Sequence, residues 1–120
     1  MKKQLDLVKQ FHQKFQAPVL KEPALIPEDR SGLRYKLMND EVVEYLEGVQ
    51  HKDLENVAKE LADILYAVYG TILEHGLQDK MEEIFEEVHR SNMSKDYSQY
   101  KMIKCTGYFQ ADIKKVLGKK

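Results

Sequence analysis

Two acidic pairs stand at helical spacing in this 120-residue sequence, Glu41 with Glu44 and Glu60 with Asp63. Residues i and i+3 of a helix are neighbours, their Cβ atoms about 5–6 Å apart, so each pair makes a two-toothed carboxylate clamp. Packed side by side, the two segments would bring four hard oxygen donors together. That donor set suits Mg²⁺, with Mn²⁺ as a substitute, because such an ion keeps some waters and takes its other ligands from carboxylates and substrate phosphates. A magnesium ion so held polarises phosphoryl oxygens and lowers the pKa of a bound water, which points to phosphate chemistry. Asp40, directly before Glu41, is a further carboxylate able to take a proton from an attacking water.

Glu and Asp are also the ordinary residues of solvated helix faces, and a single E-x-x-E says little. What separates these pairs from a solvated face is where they fall. Glu41 adjoins Val42 and lies within a turn of Leu37 and Tyr45, and Glu60 and Asp63 flank Leu61 and Ile64. They border apolar stripes and so belong at a helix interface. Two carboxylates about 4 Å apart repel by about 4 kcal/mol at an effective dielectric of 20, so four of them call for a cation or for protons. Glu86-x-x-His89 has the spacing of a di-iron carboxylate bundle, but His12, His51 and His75 have no Glu three residues before them, and such a site needs two E-x-x-H pairs. His89 reads as a helix-end histidine favoured by the C-terminal dipole. The competing reading from another class is a non-catalytic helical dimerisation or binding module.

The elements that must position these residues are helices. Leu5, Val8, Phe11, His12 and Phe15 recur at three- and four-residue steps and predict an amphipathic helix over about 3–16, with Phe11 and Phe15 in the core. Pro18, Pro23 and Pro27 then break the chain into a connector, longer than a helical hairpin needs, that should lie over a site or a subunit boundary. A second apolar stripe runs from about Arg30 to Glu47 and stops at Gly48; Asp53 caps a third helix that runs to about Glu74 and closes at Gly76. The short loop between them makes these two helices antiparallel neighbours. A fourth helix spans about Asp79 to His89, the polar run Arg90–Lys95 leaves it, Asp96–Gly107 is a loop or short extended piece, and Ala111–Leu117 forms a last turn or two.

Length and composition agree with one domain over residues 1–120, all-α, with one core. Nineteen basic and 20 acidic residues give a net charge of −1, which offers no field for a nucleic-acid polymer. The single cysteine, Cys105, excludes an intramolecular disulfide framework and suits a reducing cytoplasm. The N-terminal segment carries charge throughout, and no stretch approaches the ~18 apolar residues of a membrane span.

Asn39-Asp-Glu-Val-Val-Glu44, Glu60-Leu-Ala-Asp63 and Glu87-Val-His-Arg-Ser-Asn-Met-Ser-Lys95 together resemble the all-α nucleoside triphosphate pyrophosphohydrolases, a superfamily that includes MazG, dimeric dUTPases and phosphoribosyl-ATP pyrophosphohydrolase. The resemblance runs from Phe11 to about Leu117. It implies a MazG-like bundle of four to five helices, assembled as a homodimer or a dimer of dimers. The implied activity is Mg²⁺-dependent hydrolysis of a nucleotide between the α and β phosphates, to a nucleoside monophosphate and pyrophosphate, as in the house-cleaning of non-standard nucleotides. On this resemblance Glu41, Glu44, Glu60 and Asp63 are metal ligands, Asp40 and Glu41 are the catalytic acids, and Asn92, Lys95 and Lys104 contact the nucleotide. Two departures stand out: Gln99 and Tyr100 replace an Asp-Gly turn, and Ala111 replaces a proline.

Overall fold

The computed structural model describes residues 1–97, 102–103 and 107–118. They form helices α1 (Lys2–Lys14), α2 (Glu28–Gln50), α3 (Leu54–Glu74), α4 (Met81–Met93) and α5 (Ile113–Gly118), with two-residue strands β1 (Asp96–Tyr97) and β2 (Met102–Ile103) paired antiparallel. The fold is all-α, the strand pair being a short ribbon between α4 and α5. Two compact units are distinguished, Met1–Gln78 and Asp79–Lys120.

In the first unit α2 and α3 pack antiparallel, and α1 packs on α3. The pairing is read from contacts along both helices: Arg30 and Arg34 reach Glu74, Arg34 reaches Thr71 and Ala67, and at the other end Gly48 approaches Asn56 and Val57. Asp53 caps α3 as its sequence position predicts, its carboxylate accepting from the Asn56 N–H at 3.1 Å. Gly76 follows the end of α3 at φ +68°, where a Cβ would collide with the Glu22 carbonyl, so both backbone sign and space require glycine there.

Three expectations are corrected. Phe11 and Phe15 are 46% and 61% exposed; the buried face of α1 is Leu5, Val8 and His12. Phe11 instead meets Tyr66 edge-on, with ring centroids 5.5 Å apart. Helical periodicity marks a wide apolar stripe, and α1 packs chiefly on α3, which covers only part of it. Gly48 does not end α2, which continues to Gln50 with Gly48 buried inside it. The run after His89 does not leave the helix either, since α4 extends to Met93. Ser91 sustains it because its hydroxyl is turned away to the Phe109 carbonyl at 2.7 Å rather than competing for its own backbone.

The proline connector is held to the C-terminal end of α3 and not to the acidic pairs. Leu20 and Ala24 donate backbone N–H groups to the carbonyls of Leu73 and His75, the His75 imidazole donates to the Ala24 carbonyl at 2.9 Å, and Gln78 donates to the Leu20 carbonyl at 2.7 Å. The two backbone bonds go to carbonyls at the end of α3, and the two side chains serve carbonyls of the connector.

In the second unit the C-terminal segment is clipped to α4. Glu87 accepts two bonds from Arg90, at 2.7 and 3.0 Å, and one from the Asp112 N–H at 2.6 Å ahead of α5. The Arg90 guanidinium lies 4.1 Å from the centroid of the Phe109 ring.

Candidate metal centre

The antiparallel register that joins Gly48 to Val57 and Arg34 to Ala67 sets Glu41 of α2 across from Glu60 and Asp63 of α3. One carboxylate oxygen from each of the three can be chosen so that all lie within 4.8 Å of one another. The elements that bring them together are ordinary: a helix capped by Asp53, a three-residue turn and an antiparallel helix pair. What is unusual is the polarity placed within it. Glu60 is 5% exposed, and Oε2 of Glu60 and Oε2 of Glu41 are both buried without a hydrogen-bond partner.

Ionised carboxylates can only accept, so Glu41 and Glu60 facing each other repel unless a proton or a cation is shared between them. Burial, followed by the facing Glu60 and then by Glu44, pushes the Glu41 carboxyl up to about 7. Glu44 is raised too, with Glu60 the first cause. Such a site needs a proton or a cation, and three carboxylates with converging oxygens suit a divalent ion.

Glu44 lies one turn beyond Glu41, is exposed, and stands outside the close group of three. Asp40 pairs with Lys36 at 2.8 Å on its own helix. Asp63 pairs with Lys59 at 2.7 Å, and the same ammonium lies 3.7 Å from Glu60 Oε1. In the sequence the one signal for Lys59 is its four-residue spacing from Asp63, which on a helix makes the two neighbours. Asn92 is exposed on the last turn of α4, and Lys95, half-buried, follows that helix; both belong to the second unit. Lys104 lies outside the described residues. Glu86 and His89 are exposed and join no metal-holding group among the described residues.

With this geometry in hand, the family comparison is decisive: the model for phosphoribosyl-ATP pyrophosphohydrolase matches residues 8–92, more than two thirds of the chain. The chain belongs to this family. The phosphoribosyl-ATP pyrophosphohydrolase family is part of the MazG-like all-α superfamily, so the superfamily resemblance holds over the matched residues. The matched segment includes Glu41, Glu44, Glu60 and Asp63 and ends at Asn92, leaving Lys95 and Lys104 beyond it. No match is found among curated proteins. Membership places the chain among pyrophosphohydrolases, enzymes acting on nucleotides. No helix among the described residues is long and apolar enough to cross a membrane.

Proposed function

We propose that the protein hydrolyses a nucleoside triphosphate or a related nucleotide between its α and β phosphates, releasing a nucleoside monophosphate and pyrophosphate, with Mg²⁺ held by Glu41, Glu60 and Asp63. The observation that carries this is the pair of buried, partnerless oxygens on Glu41 and Glu60 within a group of three carboxylates, in a chain of this family. Glu44, one turn along α2, supplies a fourth carboxylate at the exposed edge, where a substrate-bound ion would meet solvent.

When bound, a divalent ion supplies charge neutralisation at the phosphates and a more acidic water. The chain's own groups do the rest. Glu41 and Glu60 hold their oxygens in place because they are packed into the α2–α3 interface, which spares reorganisation during the reaction. Asp40, on the same turn as Glu41, is the carboxylate assigned to accept the water's proton once it lets go of Lys36. Asn92 and Lys95 are assigned to the nucleotide, Lys95 as a point charge toward phosphate. Lys104 shares that assignment through the resemblance alone. Residues 1–120 act as one catalytic domain in this reading, since the matched family segment runs from the first compact unit into the second.

A second copy of the chain completes the assembly, as a homodimer or a dimer of dimers. Val42, Leu46 and Val49 on α2 and Leu54, Leu61 and Leu65 on α3 follow helical spacing and are all exposed within the single chain.

The deciding experiment is a panel of ribo- and deoxynucleotides, with phosphoribosyl-ATP among them, assayed for pyrophosphate with Mg²⁺ or with EDTA. Magnesium-dependent pyrophosphate release from at least one nucleotide is expected. Release from none of them, or release indifferent to EDTA, would sink the proposal. Asp63→Asn should abolish the activity and keep the fold.

A further inference from the structure

Lys59 lies on α3 immediately before Glu60 and one turn before Asp63, and it holds both. Its ammonium is 2.7 Å from Asp63 Oδ2 and 3.7 Å from Glu60 Oε1. Asp63 is one of the three carboxylates that converge, and Glu60 is the most buried of them. The side chain of Lys59 is itself 68% exposed, so it reaches the acidic group from the solvent side on a flexible stem and can leave by the same route. By contrast Lys36, the corresponding lysine on α2, pairs with Asp40, which is not one of the three.

We propose that Lys59 is an internal counter-ion which occupies Asp63 in the metal-free protein and must be displaced when a divalent ion binds, so that it sets the affinity of the site. The inference rests on the reading of Glu41, Glu60 and Asp63 as the metal centre. An ammonium at 2.7 Å occupies Oδ2 of Asp63, and two cations repel each other when both approach the same small group of carboxylates. The ammonium neutralises part of the acidic group but cannot serve the inner oxygens of Glu41 and Glu60, which stay without partners. Exchange therefore runs in one direction as metal rises: a compact divalent ion reaches all three carboxylates, whereas the lysine reaches two. Once displaced, the ammonium remains tethered within one turn of the ion, on the solvent side. Exposed lysine–carboxylate pairs are weak, so the barrier that Lys59 sets is modest and suits an ion that exchanges readily.

The test is metal binding to the intact protein, with no substrate present. Mn²⁺ is titrated into the wild type and into Lys59→Met, Lys59→Arg and Lys36→Met, and free Mn²⁺ is read by electron paramagnetic resonance. Lys59→Met should bind Mn²⁺ about three- to tenfold more tightly than wild type, the range set by losing one exposed ion pair and one nearby positive charge. Lys59→Arg and Lys36→Met should stay within about twofold, since the first keeps the charge and the second removes a lysine from another carboxylate. In the same protein, the ¹H–¹⁵N signal of the Lys59 ammonium should be sharp without metal and should move to the position of a free lysine as Mg²⁺ is added.

An unchanged Mn²⁺ affinity in Lys59→Met, equal gains in both methionine variants, or a Lys59 signal that ignores Mg²⁺ would overturn the displacement. Those results would leave the metal centre standing. Absence of Mn²⁺ binding by the wild type would overturn the metal centre and the displacement together.

Discussion

At Glu41, burial and the facing Glu60 act in the same direction on one carboxyl, raising it to about 7. The consequence for stability follows from proton counting. Between its ordinary value of 4.5 and about 7 the folded chain holds a proton at Glu41 that the unfolded chain has released. The metal-free protein should therefore lose stability as pH rises through that window, and thermal melts in EDTA at a series of pH values would read the slope. Saturating Mg²⁺ should cancel it, because an ion favours the deprotonated form and binds only the folded state. Glu41→Gln should remove the slope and leave the metal-free melting temperature the same or higher, while costing more than about 100-fold in Mg²⁺ affinity. A glutamine variant that still gained stability from Mg²⁺ like the wild type would place the ion elsewhere.

At the scale of elements, α2 and α3 are joined by charge as well as by apolar contact. Glu74, 1% exposed, takes two bonds from Arg30 at 3.0 and 2.8 Å and one from Arg34 at 3.2 Å, and Arg34 also donates to Thr71 and to the Ala67 carbonyl. Burial lowers the pKa of Arg34, with Glu74 opposing it. Space for this guanidinium comes from Gly70, where a Cβ would strike Arg34 Nη2 and lie 2.9 Å from His12 Nε2. Removing one member of a buried ionic group leaves the others uncompensated, so Glu74→Gln should cost about 3–5 kcal/mol in urea denaturation. Replacement of all three by packed apolar residues should cost far less.

The clip in the second unit behaves in the opposite sense to Glu41. Arg90, then the Asp112 N–H, hold Glu87 down to about 2. Its contribution is full above 4.5 and is lost as pH falls toward about 2. Protection of the Asp112 amide against exchange, relative to an unstructured chain at the same pH, should fall over that acid range, and Glu87→Gln should lower it at neutral pH; indifference of Asp112 to both would show that Glu87 does not hold the segment.

At the scale of the whole molecule, the exposed stripes on α2 and α3 are the feature that a single chain does not explain. Leu46 and Leu61 are 53% and 48% exposed although each lies in an amphipathic pattern. A second copy would cover them and would bring the burial that the sequence pattern anticipates. Leu46→Glu should reduce the mass measured by light scattering from a multiple of the 14.1 kDa chain to the chain itself. A wild type already of that mass, or a glutamate variant that still assembles, would mean that these stripes do not hold copies together.

Much of this protein was legible in the sequence. Leu5 and Val8, the Asp53 cap and the Gly76 stop, the helical spacing of the acidic pairs and their place beside apolar positions are local facts, set by a 3.6-residue period and by the orphan groups at helix ends. Hence the all-α class is legible in advance, and of the four carboxylates that spacing singles out, three converge. The tertiary structure decided what periodicity cannot. A wide apolar stripe does not say which part meets a neighbour, so periodicity alone puts Phe11 and Phe15 inside, whereas the buried residues of α1 are Leu5, Val8 and His12. Spacing paired Glu41 with Glu44, but it took the register of α2 on α3 to leave Glu44 at the edge and to set Glu41 against Glu60. The same register buried Glu74 between two arginines 40 and 44 residues away. Contacts at that separation depend on how helices pack, and no local rule along the chain contains them.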